Sequence, residues 1–166
     1  MRGIVAILAI ALVAGCEKSP KPKVSNADLQ EFAKAHPGIT NECLNNYRSS
    51  GDWVPIVTGA ADCFEMQAPR RWNGIWNKGW EWSNFCAAPA TTCSASFVDD
   101  EMDLRFSEKA YPNGAELDGM FEIEFVGRRT KVAGYHGHLN QYPHFIVADR
   151  VTAIRRIAEP PERAKD

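Results

Sequence analysis

The chain has 166 residues, with 19 basic and 21 acidic side chains and a formal net charge of −2. That balance excludes a nucleic-acid binder working by phosphate neutralisation, which carries a basic excess. With 45% hydrophobic residues, five Trp and eight Phe, the chain has ample material for a packed core and does not read as disordered.

In chain order, Arg2 gives a positive start, Ile4 to Ala14 is unbroken apolar, and Val13-Ala14-Gly15-Cys16 closes the run. This three-part layout is that of a secretory signal peptide. A cysteine directly after small residues resembles the lipobox of bacterial lipoprotein signals. The family pattern favours Leu three places before the cysteine; here Val13 stands there, with Leu12 one place earlier. The resemblance covers residues 1–16. It implies cleavage before Cys16, a diacylglycerol thioether on its sulfur, and acylation, palmitate included, at the new terminus. With Glu17 rather than Asp next, it further implies an outer-membrane lipoprotein facing the periplasm. A spanning helix is too long for this run: about eleven residues at roughly 1.5 Å each cover half of a hydrocarbon core near 30 Å.

Cleavage removes residues 1–15 and with them Arg2, leaving 151 residues with 18 basic and 21 acidic side chains. That is the size of one ordinary domain. Residues 16–25, centred on Lys-Ser-Pro-Lys-Pro-Lys, read as a flexible tether behind the lipidated cysteine. Residues 26–158 read as a single α+β domain and 159–166 as a charged tail.

Asn26 reads as a helix N-cap with Asp28 in the first turn, and Leu29, Phe32, Ala33 and His36 recur at helical spacing before Pro37-Gly38. A second helix follows Thr40, carries Cys43, Leu44 and Tyr47 on one side, and ends near Gly51. From Trp53 the pattern turns to β. Val54 to Val57, and Asp62 to Met66, read as strand material. In 72–86, Trp72, Trp76, Trp80 and Trp82 share one parity and would line one face of an unbroken strand. Asn73-Gly74 and Lys78-Gly79 are both possible turns within it. Phe97 and then Met102, Leu104 and Phe106 mark the next strand. Phe121, Ile123 and Phe125, alternating with Glu122 and Glu124, mark the clearest one, and Phe145 to Val151 opens a last strand reaching towards Ile157. The expected fold is two helices followed by five or six antiparallel strands in a small barrel, OB-like first and lipocalin-like second.

With Cys16 assigned to lipid, Cys43, Cys63, Cys86 and Cys93 form an even set in an exported chain and read as two disulfides. Of three possible connectivities, Cys86–Cys93 with Cys43–Cys63 is favoured, and Cys63–Cys86 is the rival. Zinc is the other use of such a set, but no CxxC is present and the compartment is oxidising. No metal or cofactor is expected.

Four groups invite a functional reading. His136-Gly137-His138, with His144 beyond, has the alternation of a metal pair or a general acid/base, against which surface or structural histidines stand. Arg128-Arg129 offers a carboxylate or phosphate clamp, or ion pairs to Glu122, Glu124 or Asp149. Trp72, Trp80 and Trp82 offer a stacking platform for sugars or peptides, or core packing. Glu81 is a candidate catalytic carboxylate. No Gly-x-Ser-x-Gly, HExxH, P-loop or dinucleotide pattern occurs. The expectation is a lipid-anchored envelope module, joined to the membrane through Cys16, that binds another envelope protein or cell-wall material and no nucleic acid. The alternative is an envelope hydrolase using His136, His138 or Glu81.

Overall fold

The computed structural model describes residues 24–53, 61–94, 101–111, 117–137 and 141–159. Cys16, Val54 to Val57, Phe97 and His138 lie outside the described residues. Two helices, α1 (Asn26–Ala35) and α2 (Asn41–Ser50), precede five strands: β1 (Arg70–Lys78), β2 (Ser83–Ala87), β3 (Met102–Phe106), β4 (Gly119–Arg129) and β5 (His144–Ala158). No described helix is long and apolar enough to cross a membrane.

The helix cap falls one residue before the expected Asn26. Ser25 Oγ accepts the Asp28 N–H at 3.1 Å while the Asp28 carboxylate accepts the Ser25 N–H at 3.1 Å, a reciprocal capping box. Asn26 instead accepts from Arg48 Nη2 at 3.2 Å and ties α1 to α2. Thr40 caps α2, and Gly51 ends it with φ 64°. Phe32 stacks on His36 and Tyr47, with ring centroids 4.4 and 4.6 Å away.

The strand expected at Asp62–Met66 is replaced by a 3-10 turn, Ala61–Cys63, and isolated bridges at Phe64 and Met66. The Cys43–Cys63 disulfide draws this segment onto α2, and the Thr40 N–H donates to the Cys63 carbonyl at 2.9 Å. Its backbone is shared between the helical hairpin and the end of β4: the Glu65 N–H donates to the Gly38 carbonyl at 2.7 Å and the Gln67 N–H to the Arg129 carbonyl at 2.8 Å. The second disulfide is Cys86–Cys93, so the favoured connectivity holds.

The strands close into a barrel in the order β1-β2-β3-β5-β4. All neighbours are antiparallel except β3 and β5, which run parallel, correcting the all-antiparallel expectation. The reason is parity. Strand directions cannot alternate all the way round a closed ring of five, so at least one adjacent pair must agree. β4 and β5 also carry three register irregularities, which bend the long strands enough for so small a sheet to close.

The alternation in β4 holds: Phe121, Ile123 and Phe125 are buried and Glu122 and Glu124 exposed. They meet Trp72, Trp76, Phe85, Leu104 and Ile146 in the core. Each such side chain contributes about 1.5–3 kcal/mol on burial. Only Trp72 and Trp76 of the four same-parity tryptophans belong to β1. Lys78-Gly79 starts the turn, while Asn73-Gly74 stays within the strand. Gly74 is needed there because a Cβ would fall 2.1 Å from the Cys86 carbonyl oxygen.

Candidate binding groove

The outer face of β1, β4 and β5 follows from their register. Asn73 pairs with Glu124 and Glu124 with Ala153; Ile75 pairs with Glu122 and Glu122 with Arg155. Where side chains are small, at Gly74, Ala88, Ala90 and Ala153, this face sinks into a concavity of about 430 Å³. The Ala88 N–H donates to the Asn73 carbonyl at 2.9 Å, holding the β2–β3 connection over one edge. A second hollow of about 240 Å³ shares Asn73 and Glu124 and adds Arg71 and Thr152. Thr152 has no partner in the register because the β4–β5 irregularity between Glu124 and Phe125 skips it. The bulge therefore places a hydroxyl in the groove.

The two hollows share Asn73 and Glu124 and form one trough with a mixed polar and apolar lining. Glu122 is held by Arg155 at 2.5 Å, with both side chains more than half exposed. Glu124, Asn73, Arg71 and Thr152 supply further acceptors and donors. Such a lining suits a hydrated ligand bearing hydroxyl, amide and charged groups.

The residues singled out in the sequence do not converge on this trough or on one another. Trp72 is buried in the barrel, its indole N–H donating to the Gly127 carbonyl at 3.1 Å and Arg70 lying 3.7 Å over its ring, and of the residues singled out it alone lines the smaller hollow. Trp80 is 74% exposed in the β1–β2 turn beside the exposed Glu81. Trp82 lies across Gly79, its indole N–H donating to Asn77 Oδ1 at 3.3 Å. The arginines and His136 sit towards the other end of the barrel. There Arg128 makes a two-pronged pair with Asp149 at 2.8 and 3.0 Å, and this hydrogen bonding raises its pKa. Arg129 Nε has no hydrogen-bond partner among the described residues.

His136 is 5% exposed and wedged edge-on between Phe64 and Phe145, each ring 5.1 Å away. Burial, reinforced by the charge of Arg105 and more weakly by His144 and His36, drives its pKa down to about 4. His136 Nε2 has no hydrogen-bond partner among the described residues. This is a neutral ring inside an aromatic cluster. His144, bonded through Nδ1 to Thr130 Oγ1 at 2.8 Å, is also shifted down by burial and then by Arg129. Neither histidine belongs to a group of three metal-capable donors among the described residues.

A second polar cluster brings together Asn84 of β2, Glu101 and Tyr142. Asn84, fully buried, donates to Glu101 Oε2 at 2.8 Å and accepts a short hydrogen bond from the Tyr142 hydroxyl. Burial and the nearby Asp103 and Glu101 carboxylates raise the Tyr142 pKa.

Sequence reasoning missed Asn73, Thr152 and Arg155 as site residues. Glu122 and Glu124 were visible as the polar half of an alternation, but their neighbours depend on which strands flank β4. No family model matches the chain, nor does a curated protein or a solved structure.

Proposed function

We propose that this chain is a lipid-anchored binding module of the bacterial envelope, fixed through Cys16 to the outer membrane and facing the periplasm. Its barrel is OB-like. The five-strand count and the parallel β3–β5 pair favour that form over an eight-stranded, up-and-down, lipocalin-like barrel. The lipobox resemblance supports the location, and two disulfides fit an oxidising compartment.

The observation that carries the binding reading is the trough on β1, β4 and β5, with Asn73 and Glu124 shared by both hollows. Its ligand is cell-wall material or the surface of another envelope protein. The hydrolase alternative needs a reactive group in a cleft, whereas His136 is sealed by Phe64 and Phe145 and Glu81 sits on the β1–β2 turn.

The test is calorimetric titration with solubilised cell-wall fragments, alongside envelope proteins recovered by in-cell crosslinking at position 73. Glu124→Gln and Asn73→Ala should each weaken capture about tenfold with the fold intact, and Glu81→Gln should leave it unchanged. Equal capture by all three variants would remove the trough from the reading. Fragment cleavage abolished by Glu81→Gln would establish the hydrolase instead.

A further inference from the structure

Glu101 is a carboxylate only 4% exposed, at the entrance to β3 and outside the trough. Asn84 Nδ2 donates to it at 2.8 Å and Ser94 Oγ at 3.1 Å. Its Oε1 also lies 3.7 Å from Cys86 Sγ. A disulfide sulfur has no proton to donate, so that approach is a contact and not a hydrogen bond. The Cys86 and Cys93 sulfurs and a Glu101 oxygen all fall within 4.8 Å of one another.

We propose that, once Cys86–Cys93 is reduced, its two thiolates and Glu101 form a site for a thiophilic divalent cation such as zinc or cadmium. Two metal–sulfur bonds of about 2.3 Å at a tetrahedral angle put the sulfurs about 3.8 Å apart, and a bound carboxylate oxygen about 3.5 Å from each. Glu101 Oε1 already stands 3.7 Å from Cys86 Sγ, and the Cα atoms of the two cysteines are 5.5 Å apart. The sulfurs have only to part, while Asn84 and Ser94 hold the carboxylate in place as outer-shell supports. Cys86 is on β2, and Glu101 adjoins Met102 at the start of β3, opposite Phe85, so the paired strands fix two of the three donors. The third, Cys93, lies beyond the strand, where Asn77 Nδ2 donates to its carbonyl and Asn84 Nδ2 to that of Ser94, each at 2.9 Å.

The chemistry balances with named reactants. A trialkylphosphine and water convert the disulfide to two thiols and the phosphine oxide; a dithiol does the same while forming its own disulfide. The cation then displaces two protons from the thiols and binds the ionised carboxylate. The filled site carries the same formal charge, −1, as the disulfide form with ionised Glu101. Oxidation removes both thiolates, so the site opens and closes with the redox state of one bond. Cys43–Cys63 forms no such group with a third donor among the described residues, and serves as the internal control. This proposal is independent of the trough.

The experiment uses the full chain, reduced with a trialkylphosphine and titrated with cadmium, reading the thiolate-to-cadmium charge-transfer absorption. Reduced wild type and reduced Cys43→Ser/Cys63→Ser should each bind one equivalent that Cys86→Ser/Cys93→Ser lacks, and the oxidised chain should bind none. Glu101→Gln should weaken that equivalent at least about tenfold, since losing even an outer-shell partner costs about 10–100-fold. Zinc-edge X-ray absorption of reduced wild type should show two sulfurs with oxygen or nitrogen completing the shell. Because Glu101 is buried, circular dichroism first establishes that Glu101→Gln folds; if it does not, the zinc-edge donor count alone decides. A four-sulfur shell, an equivalent that survives in Cys86→Ser/Cys93→Ser, or wild-type affinity in a folded Glu101→Gln would overturn the proposal.

Discussion

The environment of His136 sets a pH dependence for the whole fold. Its ordinary pKa of 6.5 falls to about 4 on folding. As pH drops below about 6.5 the unfolded chain takes up a proton that the folded chain refuses until about pH 4. Stability therefore rises with pH across that window and is lost as pH falls through it. A shift of this size amounts to about 3 kcal/mol once complete, and to about 2 kcal/mol at pH 5 relative to pH 8. Carboxylates also titrate at the acid end, so the measurement is a difference: urea unfolding of wild type and His136→Phe at a series of pH values. The variant keeps an aromatic ring against Phe64 and Phe145 and loses the titrating nitrogens; its overpacking costs about 1–3 kcal/mol at every pH. His36 and His144 are shifted the same way and leave a residual slope in both proteins. Wild type should lose about 2 kcal/mol more than the variant between pH 8 and pH 5. Parallel pH profiles would mean that His136 is hydrated or protonated in the fold and that its placement in the aromatic cluster is wrong.

Other outcomes follow from the same structure. Ile123→Ala should lower unfolding free energy by about 2–5 kcal/mol in denaturant titrations, whereas Glu122→Ala, losing an exposed ion pair, should cost under about 1 kcal/mol; equal losses would refute the assigned faces of β4. Opening Cys43–Cys63 by double serine substitution should cost about 3 kcal/mol, from the loop the bond closes, with a loss near zero counting against it. Palmitate labelling in cells should mark wild type and not Cys16→Ser, which should accumulate as uncleaved precursor; labelling of the variant would remove the anchor from the proposed function.

What could be read in advance depended on whether a residue's surroundings are written next to it. Phe121, Ile123 and Phe125 announce their own buried face, because a strand with one wet side repeats every two residues. Helix signals were equally local, and even the one-residue slip from Asn26 to Ser25 lies within a single capping box. Trp80 and Trp82 were harder: the same parity that buries Trp72 and Trp76 has no meaning beyond the turn at Gly79. The parallel β3–β5 pair is a property of strand number and closure, with no local signature. The trough was hidden for a related reason. It is made by glycine and alanines on separate segments and a hydroxyl displaced by a bulge, and only the register brings Asn73, Glu124 and Thr152 together.

The odd ring also sets an order of events for a chain that is made from its N-terminus. β1 finds β4 only across a long span, as the Trp72–Gly127 bond over 55 residues records. β3 needs β5, the last of the described strands, on its far side. Non-local pairings of this kind form slowly. No subset of the first four strands closes the ring, so the wall between β3 and β4 stays open until β5 arrives. A chain exported as proposed would cross the membrane without a finished barrel to jam the passage, and the ring would shut only once β5 had emerged.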